Sequence, residues 1–332
     1  KQTEEEFPEG INAYGADALR MTLASIATTG RDVSLDLKRV EGYRNFCNKI
    51  WNASQYVFQN IPLNSVEETE YSLADKWMNS RFNRLVESYH KHLKNYRIDL
   101  AAKLIYEFTW HEFCDWYVEM IKQRLYYSDD PVAKYTAKTV AIYILDGTLR
   151  LLHPIMPFLS EEIWQQLPVK GESITISSYP EPNQDSKDAE AEMKMRVIID
   201  VIEEIRTIRG QMNIPPSTEI EILIQAPKAD TRQILETHLE ENMRSFTKFM
   251  KVAIAEYQEK PKSAATAAAA VTPHFSSNCF ESSAASTTVK LDKSSIILFR
   301  SAIYICPGYF FDFSSAKIAI FEAGASKILA IF

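Results

Sequence analysis

Residues 99–126 read DLAAKLIYEFTWHEFCDWYVEMIKQRLY. The run is typical of a long helix, and large side chains occur throughout it: Leu104, Ile105, Phe108, Trp110, Phe113, Trp116, Tyr117 and Met120. A helix that is apolar around most of its circumference has to be buried by its neighbours. The stretch therefore predicts the centre of a helical bundle.

Further helices are predicted on both sides of this run. Ser72 with Asp75 forms a capping box, the usual start of a helix. Asp130 followed by Pro131 is typical of an N-cap and a first-turn proline. Long helices with short connections favour antiparallel packing. The predicted helices span residues 12–30, 36–58, 72–96, 99–126, 131–152 and 158–167.

The pattern changes after residue 168. We expect a short strand at 172–179, helices at 189–211 and 231–249, and strands at 219–224 and 252–257. From residue 261 the chain is alanine-rich and then loses any period. The predicted fold is mainly α: an antiparallel helix bundle followed by a small α+β appendage and an irregular tail. The predicted segments are 1–65, 66–168, 169–260 and 261–332.

Composition limits the function classes. The formal net charge of −7 argues against a small DNA-binding domain that works by bulk phosphate attraction, although it allows local basic patches that bind structured RNA. Only nine glycines are present, which disfavours a Gly-rich nucleotide-binding fold. The apolar run 296–313 is interrupted by Arg300, Pro307 and Asp312, so we expect no membrane span.

The cysteines and the start of the chain bear on the compartment. The four cysteines are widely spaced and form no CxxC pair, which favours a reducing compartment. Lys1–Glu9 is charged and is followed by no apolar segment of the kind found in signal peptides. We therefore expect a cytoplasmic protein.

Catalytic patterns are scarce. His111, Cys114 and Asp115 lie within about one turn, but in so aromatic a helix Cys114 is best interpreted as a small core residue. The chain carries no Walker motif and no HExxH. We predict no catalytic residue, no metal site and no organic cofactor in this chain.

The most informative polar pattern lies in residues 41–55. Opposite an apolar arc stand Arg44, Asn45, Asn48, Lys49 and Asn52, with no carboxylate after Glu41. Asparagine inside a helix costs about 0.5 kcal/mol relative to alanine. Amides and arginine are the groups that recognise base edges and phosphates. An RNA-binding face and a set of hydrogen bonds to a neighbouring helix explain this pattern equally well.

Two further groups of basic residues are candidates. Arg81 and Arg84 begin a basic stripe on the helix 72–96, a pattern usually produced by a solvated face. Arg206 and Arg209 end the helix 189–211, where cations complement the helix dipole.

Several motifs resemble the valine–tRNA ligases, which are class I aminoacyl-tRNA synthetases. Residues 16–20, 30–32 and 41–52 resemble the segment just after the catalytic domain of that family. Residues 106–117 and 152–164 resemble its anticodon-binding bundle, and 205–216 also match. The stretch around His153–Pro157 is shared with the ligases for isoleucine, leucine and methionine, whereas Gly42–Lys49 points to valine.

The resemblance implies a helix bundle of the class I anticodon-binding type that holds valine tRNA for a catalytic and an editing domain elsewhere in the enzyme. The full enzyme would use ATP with magnesium, but neither ATP signature of the family is present here. We expect a monomer with no DNA or membrane partner. The nominated tRNA-binding residues are Arg31, Arg39, Arg44, Asn45, Asn48, Lys49, Asn52, Arg81 and Arg84.

The resemblance covers about residues 3–260 and stops at the tail. The family continues with a charged coiled coil, which the tail does not resemble, so we hypothesise that the reading frame was lost near residues 264–271. Three hypotheses on function follow: a tRNA-binding module of a ligase, a complete enzyme, or a helical scaffold that binds no RNA. The missing ATP signatures argue against the second.

Overall fold

The computed structural model describes residues 12–28, 35–59, 69–168 and 171–256, together with Pro8, Gly10 and the backbone of five short strands after residue 260. These residues form two compact units, Lys1–Ala191 and Glu192–Phe332. The helices of the predicted segments 1–65 and 66–168 thus share one unit. The division between the units falls inside a helix and not at residue 168.

The first unit is built of helices, which confirms the predicted fold class. Its helices are α1 (Ala16–Ile26), α2 (Leu37–Gln59), α3 (Leu73–Lys94), α4 (Ile98–Glu107), α5 (Val118–Tyr127), α6 (Pro131–Leu152) and α7 (Pro157–Trp164). A π-helical segment, Phe108–Tyr117, joins α4 directly to α5. The predicted helix 99–126 is therefore one continuous helical run with a π-helical centre.

The helix starts follow the predicted caps. Ser72 Oγ accepts a hydrogen bond from the Asp75 amide at 3.3 Å, and the Asp75 carboxylate accepts one from the Ser72 amide at 3.0 Å. At the start of α6, the Asp130 side chain accepts from the Val132 amide at 2.9 Å. Each cap satisfies an amide that has no partner within its helix.

Helix α1 is joined to the break between α6 and α7. Arg20 donates to the carbonyl oxygens of Pro154 and Ile155 at 3.0 and 2.8 Å. Asp17 is buried and accepts from the amide of Leu159 at 2.6 Å, so it caps α7 from a different helix. Two motifs more than 130 positions apart in the chain therefore form one junction.

The second unit contains a β–α–β arrangement. Its elements follow α8 (Ala189–Gln211) and are β1 (Ile220–Gln225), α9 (Ala229–Met243) and β2 (Phe249–Ala255). The two strands are parallel, with Ile222 opposite Val252, and α9 provides the crossover that parallel strands need. Burial alternates along β1, which confirms the half-exposed strand expected from its period of two.

Two sequence predictions differ from the structure here. The expected helix 231–249 ends at Met243, before the second strand begins. The strand predicted at 172–179 was wrong, because these residues contain the 3₁₀ turn Ile174–Ile176. The Ser173 side chain accepts from the Thr175 amide at 3.2 Å, and such local hydrogen bonds favour a turn over an extended strand.

In the predicted tail, 261–332, the structure describes only the strand backbone. These strands are β3 (Ala264–Thr266), β4 (Val289–Lys290), β5 (Ile296–Ile297), β6 (Ile318–Ala323) and β7 (Ser326–Ile331). β7 pairs in parallel with β1 and antiparallel with β6. The hypothesis of a lost reading frame falls largely outside the described residues.

Within the described ranges, none of the helices combines the length and the apolar character that a transmembrane span requires.

Candidate nucleic-acid interface

Helix α2 has two different sides, and the aromatic residues of its inner side fix its position. Phe46 is fully buried, with its ring 4.9 Å from Tyr106 and 6.2 Å from Trp110. Tyr43 makes an edge-on contact with Tyr106 at 5.6 Å. Aromatic pairs in these arrangements contribute about 0.5–1.5 kcal/mol beyond the burial of area. They hold α2 along α4 and the π-helical segment.

The outer side of α2 carries what we call the amide stripe: Arg44, Asn45, Asn48 and Asn52. At about 100° per residue the four positions fall within an arc of roughly 100°. All four side chains are exposed, and among the described residues none has a hydrogen bond or an ion pair. The geometry therefore does not support the alternative that these asparagines bind a neighbouring helix.

Lys49, which we nominated with the stripe, has protein partners instead. Its ammonium group forms an ion pair with Asp115 and lies 3.9 Å from the centroid of the Trp110 ring. The side chain is 23% exposed, so its charge is largely compensated before any ligand arrives. Its role in binding tRNA remains a prediction.

Arg81 is similarly engaged. Its guanidinium makes two hydrogen bonds of 2.7 Å to Glu112, in the fork geometry that suits arginine and a carboxylate. Glu112 and Asp115 are three residues apart on the π-helical segment, so this segment pairs with cations from both α2 and α3. Arg84 follows Arg81 by one turn of α3 and is exposed.

The remaining two nominated residues lie elsewhere. Arg39 is exposed near the start of α2, but around the helix it lies about 140° from Arg44 and about 120° from Asn45. Arg31 lies outside the described residues. Of the nominated residues, the structure thus groups four into one continuous, exposed and unpaired surface.

The cluster of His111, Cys114 and Asp115 has the properties of a structural site. Cys114 is buried, and this burial raises the pKa of its thiol to about 12 even though Lys49 acts in the opposite direction. A thiol with so high a pKa is not a nucleophile at neutral pH. His111 is exposed, with its ring nitrogens 3.5 Å from Glu107 and 3.4 Å from Asp115.

No metal centre is formed by the residues that the structure describes, since they include no group of three or more His, Cys, Asp or Glu side chains able to hold an ion.

Sequence reasoning missed a buried cluster that holds helices of the first unit together. Asp75 is fully buried and accepts hydrogen bonds from both Arg124 amino groups at 2.6 Å and from the Tyr117 hydroxyl at 2.7 Å. The capping pattern identified Asp75 as a helix start, but no local signal linked it to residues 42 and 49 positions away.

Comparison with known proteins agrees with this architecture. Residues 75–224 match the family model of the anticodon-binding domain of tRNA ligases. The match begins inside α3, so α1 and α2 with the amide stripe precede it. It supports a tRNA-binding role for this part of the chain.

Among solved structures, the chain is similar to the AgnB2 LeuRS of Agrobacterium radiobacter K84, crystallised in a ternary complex with tRNA and LeuAMS. The identity is 15% and the TM-score 0.40, over 53% of this chain and 21% of that one. The chain thus spans about a fifth of the length of that protein. Neither comparison distinguishes valine from other amino acids.

Proposed function

We propose that this chain is the tRNA-binding part of a valine–tRNA ligase, and that the amide stripe of α2 contacts the tRNA. The observation that carries the proposal is the exposed, unpaired state of Arg44, Asn45, Asn48 and Asn52. The match of residues 75–224 to an anticodon-binding domain supports the same role.

The chemistry of the stripe suits recognition more than bulk attraction. An asparagine amide offers a donor and an acceptor side by side, which pairs with base edges or with sugar and phosphate oxygens. Among the described residues of the stripe, Arg44 is the cation, and it provides one phosphate contact. A surface of this kind contributes little to the salt dependence of binding and more to specificity, in keeping with a net charge of −7.

Valine is the finer part of the proposal. It rests on the resemblance of Gly42–Lys49 to the valine enzymes, and this segment contains three of the four residues of the amide stripe. In the whole enzyme, the bundle would hold the tRNA so that its acceptor end reaches a catalytic domain, where ATP and magnesium would be used. Positioning of this kind is the contribution that a binding domain makes to catalysis.

The test is a titration of valine tRNA with the purified chain and its variants. Asn48→Ala should weaken binding by about 1–3 kcal/mol, the usual contribution of a well-placed amide contact. Arg44→Ala should also lower the salt slope by about 1. Lys251→Ala is the control, since it removes an exposed cation from β2, outside the helix that carries the stripe.

The outcomes separate the two levels of the proposal. Equal binding by wild type, Asn48→Ala and Arg44→Ala would contradict a role for the stripe. Equal affinity for valine tRNA and for a tRNA of another amino acid would contradict the assignment to valine but not the tRNA-binding role.

A scaffold that binds no RNA is the second candidate. It is favoured by the ion pairs of Lys49 with Asp115 and of Arg81 with Glu112, because these pairs neutralise two of the nominated cations. Weak binding of similar strength to tRNA and to heparin would identify this case.

A further inference from the structure

The turn between α3 and α4 has an unusual residue at its centre. Tyr96 adopts a left-handed backbone conformation, with φ of 57°. Its amide donates to the Leu93 carbonyl at 2.9 Å, and the Arg97 amide donates to the His92 carbonyl at 2.9 Å. These two hydrogen bonds form the Schellman motif that ends many helices, and Tyr96 holds the left-handed position that glycine usually occupies.

The chain contains the same motif a second time, and there the left-handed position is held by a residue that commonly adopts this conformation. At the end of α8, Asn213 has φ of 50°, its amide donates to Gly210, and the Ile214 amide donates to Arg209. Asparagine tolerates the left-handed region because its short polar side chain can bond locally. Tyrosine has no such advantage, so its presence at position 96 costs conformational free energy.

Packing does not compensate for this cost. The Tyr96 side chain is 84% exposed, and within the described part of the chain it makes no ring contact or hydrogen bond. A residue that strains its backbone without filling the core indicates a role outside the fold, and strained positions of this kind cluster at functional sites.

The surroundings of Tyr96 indicate the class of ligand. Residues 88–98 contain no carboxylate. Lys91 and Lys94 are exposed and form no ion pair among the described residues. Arg97 is different, because it makes hydrogen bonds of 2.8 and 2.6 Å to Asp99. An exposed aromatic ring flanked by two uncompensated lysines is the combination that single-stranded nucleic acid requires, with a flat surface for a base and cations for its phosphates.

We propose that Tyr96 is a stacking platform for an unpaired base of tRNA, and that Lys91 and Lys94 contact the adjacent phosphates. This surface is separate from the amide stripe, but the proposal rests on the proposed tRNA-binding function. An acidic segment of a protein partner would pair with the two lysines. It would not explain why an aromatic residue occupies a position that favours glycine.

The experiment uses the full chain and the substitution Tyr96→Gly. Glycine fits the left-handed position better than tyrosine, so the midpoint of thermal unfolding should stay the same or rise. Affinity for a valine tRNA transcript should nevertheless fall by roughly 5- to 150-fold, the range for loss of one base-stacking contact. Loss of binding without loss of stability is a result that a purely structural role cannot produce.

Three controls make the assignment specific. Tyr96→Trp keeps an aromatic surface and should retain tRNA binding. Asn213→Gly makes the same backbone change in the other Schellman motif and should leave binding unchanged. Heparin has charges but no bases, so Tyr96→Gly should bind heparin as the wild type does. The double variant Lys91→Ala/Lys94→Ala should instead bind both tRNA and heparin more weakly. Its salt slope for tRNA binding should be lower by about 1.4.

Each outcome decides something. If Tyr96→Gly binds tRNA like the wild type, the stacking proposal is overturned and the proposed function stands. If Tyr96→Gly weakens the binding of tRNA and of heparin equally, the stacking proposal is also overturned, because heparin has no base on which the ring could stack. If the wild-type chain does not bind tRNA, both proposals fail.

Discussion

Substitution of the buried carboxylate Asp75 by alanine should destabilise the first unit severely. Asp75 is fully buried at the start of α3 and holds Arg124 of α5 through two hydrogen bonds of 2.6 Å. It also accepts from the Tyr117 hydroxyl at 2.7 Å and from the Ser72 amide at 3.0 Å. One carboxylate thus connects α3, the π-helical segment and α5.

The expected loss follows from what alanine leaves behind. Arg124 is only 8% exposed, and Asp75→Ala removes the carboxylate that accepts two of its hydrogen bonds in the buried core. Removal of one partner of a buried pair costs about 3–5 kcal/mol. Loss of the hydrogen bond to the Ser72 amide increases this cost by at most about 1 kcal/mol. Since small domains are stable by about 5–15 kcal/mol, Asp75→Ala removes a large part of the stability of this unit.

The assay is urea unfolding of the full chain, followed by far-ultraviolet circular dichroism. Ser72→Ala is the matched control, since it removes the capping oxygen and leaves the Asp75–Arg124 pair in place; it should cost about 1 kcal/mol. The double variant Asp75→Ala/Arg124→Met should be more stable than Asp75→Ala alone, because it also removes the buried cation that has lost this carboxylate. If Asp75→Ala costs no more than Ser72→Ala, or the double variant is the less stable of the two, the explanation by a buried charge pair is wrong.

Two further predictions concern the core of the bundle. Gly147→Ala would ordinarily stabilise a helix by about 1 kcal/mol, but a Cβ at this position would lie 2.3 Å from Cζ of the buried Phe82 ring. We therefore expect the free energy of unfolding in urea to fall by about 1–2 kcal/mol. A rise would show that the ring can move aside. The Tyr89 hydroxyl donates to the Leu151 carbonyl at 2.8 Å, and burial raises its pKa from 10.0 to about 12. Because the folded state retains this proton more tightly, the associated stability is complete below pH 10 and is lost as the pH rises towards 12, by about 2–3 kcal/mol. Unfolding midpoints at pH 8, 10 and 11.5 should fall less for Tyr89→Phe than for wild type, and equal falls would exclude Tyr89 as the cause.

Local patterns were sufficient for most of the helices. The capping box at Ser72 and the Asp130–Pro131 start appear as predicted, because a cap involves residues two or three positions apart. The alternating burial of β1 could be predicted equally well, since burial with a period of two is a property of the strand itself. The aromatic inner side and the amide outer side of α2 also follow from helical spacing alone.

The strand predicted at 172–179 marks the limit of such patterns. Residues of apolar and β-branched type favoured extension there, but a serine hydroxyl bonded to a nearby amide and produced a turn. Competition between two local hydrogen-bonding schemes is decided by small differences that a residue pattern does not contain.

The amino-acid sequence by itself determined which residues form helices and which side of each helix is apolar, because these properties depend on neighbours within one or two turns. Only the tertiary structure decided which cations are available for a ligand. Lys49 and Arg81 are paired with Asp115 and Glu112, whereas Arg44 on the same helix as Lys49 is not. Arg209, expected to complement a helix dipole, is buried and donates to the Thr247 hydroxyl at 2.9 Å. Charge compensation depends on distances between residues far apart in the chain, and those distances exist only after the helices have packed.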